Sequence, residues 1–232
     1  MTAGERSDSR DGPRRAVLWD LDGTLIASQP LWDASFTRLC EAARGRVTRK
    51  ILGLLAGQSI AGTLELIAAT GAAPAASSPR ARAILDAMND EVIALVAADP
   101  PLVPGARELV AAVAARGAAQ AIVSASQHRM VAAVAGVLDG AINVLVTGDD
   151  AVPAKPDPAP YALAARRLGV PAARCVVVED SITGLGSARA GGLRTFQIGS
   201  VPLLPDDDGV TLVPSLTELD ADRLLGPAER RY

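Results

Sequence analysis

The sequence predicts an α/β fold: a Rossmann-like, doubly wound parallel sheet with an inserted all-helical cap domain. Three observations predict it. Short apolar runs of strand length alternate with helical stretches along most of the chain, which is the pattern of βαβ units with right-handed crossovers. Those runs lack polar alternation, as strands buried on both faces do. Between the first run and Pro104, however, the chain reads as helix after helix with no convincing strand.

Taken in order, residues 1–14 are charged, Ser/Gly-rich and without apolar periodicity; they read as a disordered leader that lacks the apolar core of a secretory signal. AVLW then leads to Asp20 and forms the first strand. Residues 31–97 hold the helical stretches PLWDASFTRLCEAARG, TRKILGLLAG, SIAGTLELIAATG and PRARAILDAMNDEVIALVA, with an Ala/Pro/Ser-rich linker over 71–79 that is expected to be mobile. PGARELVAAVAARG (104–117) starts with Pro and Gly, repeats apolar residues at helical spacing and stops at Gly117. It feeds a second strand, AAQAIVSA (118–125), then a helix over 126–138 and a third strand, NVLV (143–146). A helix over 158–169, a strand RCVVVED (174–180), a helix ending in paired glycines and a strand LRTFQI (193–198) complete the alternation. The expected division is a core of 15–26 plus 98–232 and a cap of 27–97, placed over the carboxyl ends of the strands where open α/β sheets bind ligands.

Composition excludes several function classes. With 232 residues, 49% hydrophobic and 21% charged, the chain is long enough for one large domain or a domain with an insertion. A net charge of −3 and 3% aromatic residues offer neither the basic surface nor the stacking platform of nucleic-acid binding, and no anionic membrane is addressed. No apolar run reaches the ~18 residues of a membrane span, so a cytoplasmic protein is expected; a monomer is the default for a capped chain of this size. Cys40, Cys175 and His128 are too few for a disulfide framework or an ordinary zinc site; both cysteines, in apolar contexts, read as buried thiols. All but two of the 23 basic residues are arginine, the exceptions being Lys50 and Lys155.

The chemistry gathers at strand ends. Asp20-Leu21-Asp22-Gly23-Thr24 follows the first strand, and alternate positions put Asp20 and Asp22 side by side at the carboxyl edge. Two such carboxylates repel unless a cation or a proton intervenes; the same residues also describe an ordinary Asp-Gly turn. The second strand ends at Ser124, with Ala125, Ser126 and Gln127 leading into a helix. That arrangement suits a phosphate at a helix N-terminus, and equally plain N-capping. Lys155 lies in AKPDPAP, where prolines hold a short rigid segment, a setting for contact with an anion. The fourth strand finishes in Glu179-Asp180, followed by Ser181 and a helix. Together with Asp20 these acids make an all-oxygen site for a hard cation, Mg²⁺ by preference.

DLDGTL (20–25), IVSAS around Ser124, KPDP around Lys155 and VVVEDSITGLGSARAGG (176–192) follow one another in an order that resembles the haloacid dehalogenase superfamily, over roughly residues 15–200. Within it, SQPLWD (28–33), SASQHRM (124–130) and SLTEL (215–219) look like hexose-phosphate phosphatases related to β-phosphoglucomutase. The resemblance implies a phosphatase of a small phosphorylated metabolite, a sugar or polyol phosphate. It casts Asp20 as nucleophile and Asp22 as general acid and base. Gly23, Thr24, Ser124, Ala125 and Lys155 would meet the phosphoryl group. Asp20, Asp180 and the Asp22 carbonyl would ligate Mg²⁺, with Glu179 nearby or binding through water, and Gly23 would be a hinge for the cap. The sequence departs from the pattern after DGTL, where Ala27 and Gln29 occupy positions that are commonly acidic.

Three other readings use the same residues. A dehalogenase would leave Asp22 without a leaving alcohol to protonate. A β-phosphoglucomutase-like transfer differs only in returning the phosphoryl group to the sugar. A non-catalytic sugar-phosphate sensor would not need every acid. There is no GxxxxGK[ST], no third glycine after Gly184 and Gly186, and no partner set that would make His128 part of a hydrolase triad. Trp32, Phe36 and Leu39 stand at helical spacing and read as cap packing, Lys50 as surface, and Asp206 to Asp208 as a solvated loop.

Overall fold

The computed structural model describes residues 15–55, 58, 60–204 and 209–227. The leader over 1–14 and the acidic run over 206–208 lie outside the described residues. Six strands form one parallel sheet: β1 (Ala16–Trp19), β2 (Ala119–Val123), β3 (Val144–Val146), β4 (Cys175–Glu179), β5 (Arg194–Ile198) and β6 (Val210–Val213), in the order β3-β2-β1-β4-β5-β6. The helices are α1 (Gln29–Ala42), α2 (Arg49–Leu52), α3 (Ile60–Ala69), α4 (Pro79–Ala98), α5 (Ala106–Ala115), α6 (His128–Gly136), α7 (Ala159–Leu168), α8 (Ile182–Ala190) and α9 (Ala221–Leu225).

The alternation of buried side chains explains why β1 carries no polar residue. Val17 and Trp19 enter one core with Ile122, Val176 and Val178, covered by Leu109, Val110 and Val113 of α5 and Met130, Val131 and Val134 of α6. Ala16 and Leu18 enter the other with Ala121, Val123 and Val177, covered by Tyr161, Ala164 and Leu168 of α7. Both faces are buried, so a period of two yields an unbroken apolar run. Strand order reverses at β1, the switch point at which such sheets open a crevice beyond their carboxyl ends.

Register delivers the site. Trp19 pairs with Ile122 on one side and Val178 on the other. Asp20 and Glu179 follow these pairs directly, and Ser124 and Asp180 come one residue later, so all four reach the same edge of the sheet.

The four helices between β1 and α5 build a third core around Phe36, Cys40, Ile67, Leu85 and Met88. Ser78 starts α4 by accepting a hydrogen bond from the Ala81 amide at 3.2 Å, with Pro79 in the first turn. This helix belongs to both halves: Ala81, Ile84, Leu85 and Met88 pack in the helical block, whereas Val92, Ile93 and Val96 pack against the sheet's first core. Packing thus changes hands within one continuous helix, several residues before the boundary expected at 97.

The linker over 71–79 is anchored at its start, where Ala72 and Ala73 are buried in the third core and the Ala72 amide donates to the Thr70 hydroxyl at 3.1 Å, while Pro74, Ala75, Ser77 and Pro79 are exposed. The alternation also extends further than the sequence reading carried it, through β6 and α9, whose short segments lack strong periodicity. Cys40 and Cys175 are buried free thiols as read, and burial pushes the Cys175 thiol up to about 11. Among the described residues no helix is long and apolar enough to cross a membrane.

Candidate active site

Lys155 is the centre of the arrangement. Its ammonium donates to Asp20 Oδ1 at 2.6 Å, to Glu179 Oε1 at 2.7 Å and to the Val123 carbonyl at 3.0 Å. Three protons meet three acceptors, so the ammonium is saturated. The side chain is 8% exposed. Burial pulls its proton affinity down, but Asp20, Tyr161 and Glu179 outweigh that and hold it well above the ordinary lysine value.

Glu179 is fully buried and engaged through both oxygens. Oε1 accepts from Lys155 and from the Tyr161 hydroxyl at 3.0 Å; Oε2 accepts from the Asp180 amide (2.9 Å), the Ser181 amide (2.8 Å) and the Ser181 hydroxyl (2.9 Å). Burial raises its pKa, yet Lys155 and the Ser181 hydrogen bonds bring it below the usual value. Asp20 goes the other way: burial, then Glu179, then Asp180 raise it well above the usual range against the pull of Lys155. Asp180 is raised to about 6 by burial and by Glu179.

Asp20, Glu179 and Asp180 offer carboxylate oxygens that all lie within 4.8 Å of one another. Gly23 makes this crowding possible. Its φ of +96° is a left-handed conformation, and a Cβ there would lie 2.0 Å from Asp180 Oδ2. The turn is pinned by the Gly23 amide on the Ile26 carbonyl at 2.8 Å. Gly23, expected as a hinge, sits in this hydrogen-bonded turn, where its missing side chain leaves room for a carboxylate. Thr24, expected beside a phosphate, is wholly buried and donates its hydroxyl to Asp180 at 3.0 Å.

Asp22 does not join the acidic cluster through its side chain. Its carboxylate accepts from three hydroxyls: Ser28 at 2.6 Å, Ser126 at 2.7 Å and Ser124 at 3.2 Å. Asp20 and Asp22, two residues apart in the turn after β1, thus take different partners, Lys155 for the first and three hydroxyls for the second. The α6 N-terminus is also occupied, since the His128 amide donates to Asp149 at 2.8 Å. Ala125 is exposed beside it, with its carbonyl so close to Gly148 that a Cβ there would sit 2.2 Å away.

Sequence reading missed Tyr161, Ser28 and the constraint at Gly184. One signal was available for Tyr161. It stands with Ala164, Ala165 and Leu168 on an otherwise apolar helix stripe, and a phenol on a buried face requires a partner. His128 and Lys50 are exposed, and Trp32 packs between the first and third cores.

Lys155→Arg is expected to lose most activity while keeping the charge. Three acceptors converge on one nitrogen, and a planar guanidinium cannot meet them from one point. Comparing turnover of purified wild type and variant checks this; near-normal turnover would contradict it.

A six-stranded parallel sheet with a helical block inserted after β1, and acids and a lysine gathered at its carboxyl edge, makes this a capped Rossmann-like α/β protein. Residues 14–192 match the family model of haloacid dehalogenase-like hydrolases. The chain belongs to that family. It is 30% identical over 218 residues to hexitol phosphatase B of Escherichia coli (strain K12), covering 91% of this chain and 96% of the relative. It is 33% identical over 191 residues to a phosphoglycolate phosphatase of Rhodospirillum rubrum, covering 77% of each. The crystal structure of CbbY from Rhodobacter sphaeroides in complex with phosphate superposes with a TM-score of 0.71 at 26% identity, covering 89% of this chain and 96% of that one.

Proposed function

We propose that this phosphoric monoester hydrolase cleaves a small phosphorylated metabolite, a sugar or polyol phosphate, through a phosphorylated Asp20. The observation that carries the reading is the difference in partners between two acids. Asp20 accepts from Lys155 and belongs to the acidic cluster, while Asp22 accepts from three serine hydroxyls. Two carboxylates in unlike surroundings suit two roles, nucleophile and proton carrier.

In the first step an Asp20 oxygen forms a bond to phosphorus as the bond to the substrate oxygen breaks, and Asp22 gives its proton to the leaving alcohol. In the second, Asp22 takes a proton from water, whose oxygen attacks phosphorus and releases Asp20 and inorganic phosphate. Ser124, Lys155 and the Ala125 main chain would hold the phosphoryl oxygens, where charge spreads in the transition state.

The donor set fits Mg²⁺: all oxygen, carboxylate-rich, with Asp20 and Asp180 both raised by burial and by a neighbouring acid. Asp20, Asp180 and the Asp22 carbonyl would hold the ion, with Glu179 beside it through Lys155. When bound it would neutralise charge on the transferring group.

The substrate class is supported by the hexitol phosphatase that aligns over nearly its whole length and by the phosphate in the CbbY structure. In this reading residues 15–26 and 98–232 carry the chemistry and 27–97 select the alcohol, in a cytoplasmic monomer. The test is phosphate release from a panel of sugar and polyol phosphates with Mg²⁺ and after chelation. Release that requires Mg²⁺ is expected, and no release from any member overturns the reading. Conversion of a sugar 1-phosphate to its 6-phosphate without free phosphate would assign a mutase instead.

A further inference from the structure

We infer that Tyr161 is a positioning residue for Lys155: its hydroxyl keeps Glu179 Oε1 hydrogen-bonded when the ammonium turns from Glu179 to a phosphoryl group. The inference rests on the reading of Lys155 as a phosphoryl-binding side chain. All three protons of that ammonium already have acceptors, at 2.6, 2.7 and 3.0 Å, so it can take a phosphoryl oxygen only by releasing one.

The three are not equal. Asp20 is the partner that the phosphoryl group approaches, and the Val123 carbonyl lies at the end of β2, fixed by the sheet. Glu179 remains, and letting it go has a cost, because a fully buried carboxylate oxygen without a donor is strongly disfavoured. Oε2 keeps its three donors from Asp180 and Ser181 whatever the lysine does. Oε1 has two donors, Lys155 and Tyr161, and only the tyrosine stays when the lysine leaves. The phenol cannot drift away, since Tyr161 is fully buried on α7 among Ala164, Ala165 and Leu168. Its ring lies 4.9 Å from the ammonium, close enough to stay in contact with a lysine that moves by a fraction of that distance. Tyr161 therefore lowers the cost of freeing Lys155 and makes its hydrogen bond available to the phosphoryl group.

The experiment titrates inorganic phosphate, in the presence of Mg²⁺, into wild type, Tyr161→Phe, Lys155→Met and the double variant by calorimetry, and records each unfolding temperature. Tyr161→Phe is expected to weaken phosphate about tenfold, and the double variant to bind no more weakly than Lys155→Met alone. Wild-type affinity in Tyr161→Phe, with or without a lower unfolding temperature, overturns the inference; so does an equal loss on top of Lys155→Met. Unchanged phosphate binding by Lys155→Met would instead overturn the reading of the lysine itself. A measurement without any variant is also available, because the chain has two tyrosines, Tyr161 and Tyr232. The ring-carbon resonance of Tyr161 next to the hydroxyl is expected to move when phosphate saturates wild type, as its hydroxyl becomes the only donor on Oε1. A resonance that stays fixed at saturation overturns the inference.

Discussion

Asp20→Asn is expected to lower phosphate release by a factor on the order of 10³ or more and to leave the fold intact. The amide has the shape of the carboxylate but cannot attack phosphorus. The rest of the site does not depend on it: Lys155 keeps Glu179 Oε1 and the Val123 carbonyl, and Asp180 keeps the Thr24 hydroxyl. Stability tests a subtler point. Burial, Glu179 and Asp180 all disfavour the charged form of Asp20, and the amide removes that repulsion together with the ion pair to Lys155. The two changes oppose each other, so unfolding free energy should move by no more than about 1 kcal/mol. Denaturant melts of both proteins, with mass spectrometry for a phosphorylated chain in wild type under turnover, check the pair of expectations. Residual turnover above a few per cent, or a phosphorylated chain in the Asp20→Asn variant, would exclude Asp20 as the nucleophile.

Gly184→Ala is expected to destabilise the protein by about 2–4 kcal/mol and to cut activity more than tenfold. Helix propensity alone says the opposite, since alanine in a helix interior is favoured over glycine by about 1 kcal/mol. The structure reverses the sign. A Cβ at Gly184 would lie 1.5 Å from Glu179 Oε1 and 1.9 Å from its Cδ. Glu179 is the last residue of β4, fully buried, and cannot withdraw without breaking its bonds to Lys155 and Tyr161. Any retreat that admits the methyl group therefore shifts the lysine as well. Glu179→Asp shortens the side chain by one methylene, so the double variant should be more stable than Gly184→Ala alone and remain poorly active. Thermal unfolding of the three variants decides it; a Gly184→Ala protein as stable as wild type would refute the close approach.

The sequence by itself determined the parallel sheet, its buried central strands, the strand ends that carry Asp20, Ser124 and Glu179-Asp180, and the proline-held loop that carries Lys155. These are local properties: an apolar run covered on both faces has no polar alternation, and helix starts and stops are written in Ser-Pro and Gly. It also determined that a helical block follows β1. What it could not determine is which oxygen faces which donor. Asp20 and Asp22 are two residues apart and look equivalent, yet one meets Lys155 and the other three serines from the start of α1 and the loop after β2. Tyr161 gains its partner only when β4 brings Glu179 against its hydroxyl. The room that Gly23 and Gly184 leave has no sign in the sequence until Asp180 and Glu179 occupy the space of their missing side chains. Each of these depends on groups far apart in sequence, and hydrogen-bond direction and steric room at sub-ångström scale are set only when the sheet register and the turns after β1 and β4 fix all of them together.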